Sequence, residues 1–224
     1  MKLLALLCAV LLSLAADDVS AAPLAHSAAP NCAFCQTVNL TIASETVPVF
    51  DFSSWFKDEI IGGLIDEYAP GQLNEREKEL AKEHPFAALQ VSWAMETANT
   101  VTKGLFGDHW NVDDTRANAF KHCLWNALMA YSIGAELARQ FGEAHEYGMM
   151  QRRPESMQMD LHNNEVGYKL GTSAFTENEY SREALLRYEE RYATLIRTYD
   201  FNVYVIIDRV VQALENGTLI WLKD

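Results

Sequence analysis

TRANAFKHCLWNALMAYSI, residues 115–133, decides the fold. The run holds no proline or glycine, and when it is wound at 3.6 residues per turn apolar side chains cover most of its circumference, so it reads as a helix buried on nearly every side. Asp113 or Asp114 stands where a capping residue is wanted. Within the helix Asn118, His122 and Asn126 recur every four residues and form one polar row on an otherwise apolar rod. Buried polar groups need partners, so the row must face other polar groups, ordered water, a metal or a ligand. A rod this apolar also needs neighbours on all sides, which predicts an all-α fold, a single helical bundle.

The rest of the chain supplies those neighbours. Ser53 or Ser54 can cap a helix running to about residue 68, and Asn74 with Glu77 approximates a capping box for a charged helix through Glu83. Pro85 opens a further helix to about residue 106, at the position proline favours. After AELARQFGEAHE, the polar run GMMQRRPESMQ reads as a solvated connection, in which Arg152 and Arg153 have the alternative of meeting an anionic group. A charged helical pattern spans 177–199. The β-branched run Val203-Tyr204-Val205-Ile206-Ile207 suits a strand by propensity, but Asp208, Arg209, Gln212 and Glu215 continue at helical spacing, so 201–214 is predicted helical and stopped by Asn216-Gly217.

The first residues, MKLLALLCAVLLSLAA, place one lysine before a short apolar run and small residues, the pattern of a secretory signal peptide. The expected organisation is therefore a signal peptide over 1–22, an irregular arm over 23–52 and a helical domain over 53–224, in a secreted protein without a membrane span in its mature form. Cys32 and Cys35 form a C-x-x-C in the arm and are expected to pair as a local disulfide, leaving Cys123 buried and free. Asn39 and Asn216 begin N-glycosylation triplets. With a formal charge of −13 the chain is a poor match for a phosphate backbone, so no nucleic-acid partner is expected, and no other partner can be named.

Partners for the polar row lie in two nearby segments: His145-Glu146 ends one helix, and MDLHNNEVGYKLG offers Asp160, His162, Asn163 and Asn164. The run Asp114-Thr115-Arg116-Ala117-Asn118-Ala119-Phe120-Lys121-His122-Cys123-Leu124-Trp125-Asn126, the Ala144-His145-Glu146 triplet and the Met159-Asp160-Leu161-His162-Asn163-Asn164-Glu165-Val166-Gly167 run together resemble a family of uncharacterised domains in bacterial secreted and polymorphic-toxin proteins. In that family a D-A-F-R-H-A-x-W-N helix, an A-H-E and an M-D-L-H-N-N-x-V-G recur. The resemblance implies that Asn118, His122, Trp125, Asn126, His145, Glu146, Asp160, His162, Asn163 and Asn164 are signature residues, and it implies no established reaction. Here Asn118 stands where Asp is common and Lys121 where Arg is common.

Two functions from different classes follow. In the first, His122, His145, Asp160 and His162 are metal ligands, with His122, Glu146 and Asp160 carrying catalysis in a hydrolase acting on an ester or phosphoester. Its cofactor would be a divalent metal ion, zinc before others. A metal-free variant uses His122 as a base oriented by Asp160. Asn118, Asn126, Asn163 and Asn164 line the polar site in either form. In the second, the same residues are a satisfied buried network in a non-enzymatic binding or structural protein.

Overall fold

The computed structural model describes residues 73–148, 153–196 and 200–223, with the single positions 63 and 198. All fall within the compact unit spanning residues 50–224. The expected signal peptide and arm, Cys32, Cys35, Asn39, Arg152 and the helix expected from Ser53 lie outside the described residues. Among those described there are seven α-helices and no strand: α1 Glu75–Glu83, α2 Pro85–Phe106, α3 Arg116–Ile133, α4 Ala135–Gly148, α5 Pro154–Thr172, α6 Arg182–Tyr192 and α7 Phe201–Glu215. The all-α expectation holds. No helix among them is long and apolar enough to cross a membrane.

Helix α3 is the axis of the bundle. It buries a continuous run from Ala117 to Ala130 apart from Lys121, and α2, α4, α5 and α7 pack around it. Phe120, Leu124, Leu128 and Met129 are wholly enclosed, and the Cys123 thiol among them is free. Burial in apolar surroundings pushes that thiol well above its ordinary range, which leaves it inert. Gly134, at a positive φ of 81°, turns the chain directly from α3 into α4.

Helices α3 and α5 approach each other closely. A Cβ built on Gly167 would stand 2.4 Å from the carbonyl oxygen of Cys123, and one on Gly171 would stand 2.1 Å from that of Ala127. The two helices touch backbone to backbone because these positions carry no side chain. Asp160, Asn164, Gly167 and Gly171 follow one another at intervals of four, three and four, so they share one face of α5. The glycine contact thereby fixes which carboxylate and which amide are delivered to the polar row of α3.

Several boundaries differ from those read in the sequence. The side chain capping α3 belongs to Thr115, which accepts from Asn118 N; Asp114 precedes it at φ 67°, a left-handed conformation that aspartate tolerates better than most residues. The expected loop before α5 is shorter than its polarity suggested, since Pro154 sits in the first turn of the helix as Pro85 does in α2. The pattern over 177–199 resolves into a 3-10 turn, Glu177–Tyr180, and then α6, which stops at Tyr192. Helix α7 forms as expected; its β-branched run is buried from Val203 to Ile207 because α7 is enclosed on several sides.

The tail returns to the start of α3. The carbonyl of Asp114 accepts from Leu222 N at 2.8 Å and Lys223 N at 3.0 Å, and its carboxylate is bonded by Arg153 and by Lys223 at 3.0 Å. Arg153, expected in a solvated connection, is thus half of a clasp.

Candidate metal centre

His122 lies at the middle of α3, Glu146 at the end of α4 and Asp160 in the second turn of α5. Their side chains converge. His122 Nδ1 is 3.4 Å from Glu146 Oε1, and His122 Nε2 is 3.5 Å from Asp160 Oδ1. One ligand atom from each lies within 4.8 Å of the others, and the three residues are 6%, 4% and 0% exposed. One imidazole nitrogen and two carboxylates in this proximity form a donor set that could hold a metal ion.

Two amides brace the group. Asn164 Nδ2 donates to Glu146 Oε1 at 3.0 Å, while Asn164 Oδ1 lies 3.3 Å from His122 Nδ1 and accepts from Asn126 Nδ2 at 2.7 Å. Asn126 Nδ2 also donates to the backbone carbonyl of His122 at 2.9 Å. Each carboxylate therefore faces the imidazole from a helix of its own, with Asn164 fixing one and Asn126 fixing Asn164.

The remaining residues expected here are elsewhere. On a helix His162 lies about 200° round from Asp160, and in the fold it is exposed with Nε2 donating to Thr218 O at 2.9 Å, so it does not join the candidate ligands. Asn163 is buried, but it exchanges two hydrogen bonds with the backbone of Ile220, at 2.9 and 3.1 Å, and secures the tail. Asn118, the first residue of the row, accepts from Asp114 N at 3.3 Å and serves the start of α3. His145 points about 100° away from its neighbour Glu146. Its Nδ1 donates to Glu77 Oε1 at 2.9 Å, and its ring lies 6.3 Å from that of His122, outside the ligand group. Glu77 was legible only as the closing residue of a capping box; it closes that box through Oε2, at 2.8 Å from Asn74 N, and uses the other oxygen for His145. Asn216, of the second glycosylation triplet, is exposed.

The electrostatics of the centre ask for positive charge. Burial opposes a charged His122, but the hydrogen bond to Glu146 and the charges of Asp160 and Glu146 together outweigh it and raise the imidazole above its ordinary value. Burial likewise opposes an ionised Glu146, and His122 outweighs that, so Glu146 is lowered. A raised histidine contributes stability that is fully present below about pH 6.5 and is lost as pH rises through its folded value. A lowered glutamate contributes stability lost only as pH falls below about 4.5. In metal-free solution the urea midpoint of the wild-type chain is therefore expected to fall as pH rises above 6.5 through the folded value of His122, whereas in His122→Gln only the carboxylates titrate and the curve is expected to have a different shape, with its fall set by their protonation. Parallel curves for the two proteins would remove His122 as the titrating group.

Fold and site together define an all-α domain with a buried His/Glu/Asp centre at its axis. The chain belongs to the family described as domain of unknown function (DUF6973), whose model matches residues 78–192 and so takes in all three centre residues. No curated protein and no solved structure matches the chain.

Proposed function

We propose that the chain is a secreted hydrolase whose His122, Glu146 and Asp160 bind a divalent cation, zinc before others, and that its substrate is an ester or phosphoester. The observation that carries this is the convergence of three ligand-type side chains from three different helices on one buried point. Two buried carboxylates beside one imidazole are stabilised by a cation, either a proton on His122 or a metal ion replacing it. Imidazole and carboxylate are donors zinc accepts. A bound ion of this kind polarises an ester or phosphoryl oxygen and lowers the pKa of water. The residues do the rest: Asn164 holds Glu146 by a hydrogen bond, and Asn126 in turn holds Asn164. Because metal binding displaces the His122 proton, affinity rises with pH.

The metal-free variant fits less well, since an imidazole held in its protonated form is a poor base. The non-enzymatic reading is favoured by one observation, the nearly complete burial of all three groups, as in a network that fixes helix register. The amino-terminal pattern supports export, which agrees with the resemblance to bacterial secreted and toxin-associated domains.

Titration calorimetry of chelator-treated protein with zinc chloride separates the readings. One equivalent is expected to bind with micromolar or tighter affinity, with proton release, and Asp160→Asn is expected to weaken it at least tenfold. Absence of binding at 1 mM zinc, with the melting temperature unchanged, would leave the structural network as the better account. A panel of ester and phosphodiester substrates then tests turnover.

A further inference from the structure

The seam between α3 and α5 does not end at the centre. The two helices run parallel and in register: Asn126 lies against Asn164 and His122 against Asp160, so one turn earlier Asn118 and Ser156 share a level. Both are buried, and both engage Asp114. Asn118 Oδ1 accepts from Asp114 N, and the Ser156 hydroxyl bonds to the Asp114 carboxylate. Four residues of helix rise about 6 Å, so the clasp on Asp114 stands roughly one turn along the seam from the centre.

That clasp sets two cations on one carboxylate. The Arg153 and Lys223 side chains are 60% and 53% exposed, while the Asp114 side chain they share is 7% exposed. The Ser156 hydroxyl, Lys223 and Arg153 outweigh burial and hold that carboxyl below its usual range, so it is ionised at neutral pH and cancels one of the two positive charges. Donors are left over as well. Arg153 spends Nη2 alone, on Asp114 and Ser156, and among the described residues nothing bonds to its Nε or Nη1. Arg209 is the contrast: it spends Nε, Nη1 and Nη2 on Glu179 and three backbone carbonyls. A guanidinium anchored at one nitrogen, with two others unspent, presents the planar fork that pairs with phosphate oxygens.

We infer that Arg153 and Lys223 bind the phosphoryl group of a soluble phosphoester and present it to the His122, Glu146 and Asp160 centre. The inference rests on the hydrolytic reading and narrows its substrate to the phosphoester. A carboxyl ester is neutral and gains little from a fixed pair of cations, whereas a phosphomonoester or phosphodiester is an anion and offsets the charge that Asp114 leaves over. The formal charge of −13 repels an anionic lipid surface as a whole, but a small anion responds to the charges within about 10 Å of it.

Inorganic phosphate is the probe, titrated calorimetrically into protein carrying one equivalent of zinc and into chelator-treated protein. The zinc-loaded form is expected to saturate at millimolar concentration or below, and the chelator-treated form at least fivefold more weakly, since the cation pair then acts alone. Arg153→Gln combined with Lys223→Gln is expected to lower phosphate affinity at least tenfold in both forms, with zinc affinity held within threefold. Where the double variant does not melt cooperatively, Lys223→Gln alone takes its place, with at least a threefold loss. Phosphatidylglycerol vesicles are expected to leave the protein in the supernatant after sedimentation. No phosphate binding at 50 mM, undiminished binding in the variants, equal binding with and without zinc on the protein, or co-sedimentation with the vesicles would each overturn the inference. Failure of the hydrolytic reading looks different: zinc does not bind, while chelator-treated protein still takes up phosphate and the variants lose it, which upholds the cation pair as an anion site.

Discussion

Replacing His122 by alanine is expected to destabilise the metal-free protein by about 3–5 kcal/mol, the cost of removing one partner from a buried ionic group. The imidazole is the only cationic side chain among the centre residues, and it lies between Glu146 and Asp160. Without it two carboxylates that are 4% and 0% exposed face each other across the space it filled. Their simplest relief is to take up protons, because neighbouring like charges and burial both favour the neutral acid. The variant should therefore recover part of the loss as pH is lowered from 7 to 5, a range in which the wild-type centre gains much less. Denaturant unfolding at the two pH values, with chelator present, measures both quantities. A loss below 1 kcal/mol at pH 7 would mean that the carboxylates are solvated or neutral already, and the electrostatic account of the centre would be wrong. Zinc binding is expected to be abolished in the same variant.

The second large effect is expected at a residue with no side chain. Gly171→Ala would place a methyl group 2.1 Å from the Ala127 carbonyl oxygen and 2.9 Å from its carbon, which are backbone atoms of the central helix. Alanine ordinarily improves a helix by up to about 1 kcal/mol over glycine, and here that gain is overwhelmed. Helices α3 and α5 must separate, and the expected loss is about 3 kcal/mol or more, at the upper end for overpacking. Gly104→Ala is the control. Its methyl would meet the tip of the Leu195 side chain at 2.5 Å, a group that can rotate aside, so its effect should be small. Thermal melts of the two variants, run together, are expected to differ by about 6–12 °C. Equal melting temperatures would show that the interface between α3 and α5 is compliant. Because the same interface delivers Asp160 and Asn164 to His122, Gly171→Ala is also expected to lower zinc affinity.

What could be read beforehand follows from which interactions are local. The apolar circumference of 115–133, the two prolines that open α2 and α5, and the capping box at Asn74 are properties of short segments, and the helices and the all-α class come from them; Pro154 was visible, but the polarity of the residues around it argued for a loop. The row Asn118, His122 and Asn126 marked the central helix as carrying buried polar groups, and Glu146 and Asp160 were among the residues expected to meet it. Which partners meet was set by the backbone contact at Gly167 and Gly171; their four-residue spacing puts them on one face of a helix with Asp160 and Asn164, but which helix that face meets is a long-range fact. His162 and Asn163 share a motif with Asp160 but face the tail, and the direction of the tail is a long-range fact. Glu77 was hidden for the same reason. Its pairing with His145 joins residues far apart in sequence, and its visible role as a cap gave no cause to look for a second.

The clasp at Asp114 bears on the order in which the molecule can be completed. The backbone groups that seal the entrance to α3 are supplied by Leu222 and Lys223, more than one hundred residues later. A ribosome delivers the central helix long before it delivers those partners. Through most of synthesis the start of α3 is therefore without the hydrogen bonds that close it, and the left-handed turn at Asp114 is held only by its own neighbourhood. Leu222 and Lys223 act as a latch that cannot engage until they have themselves been made.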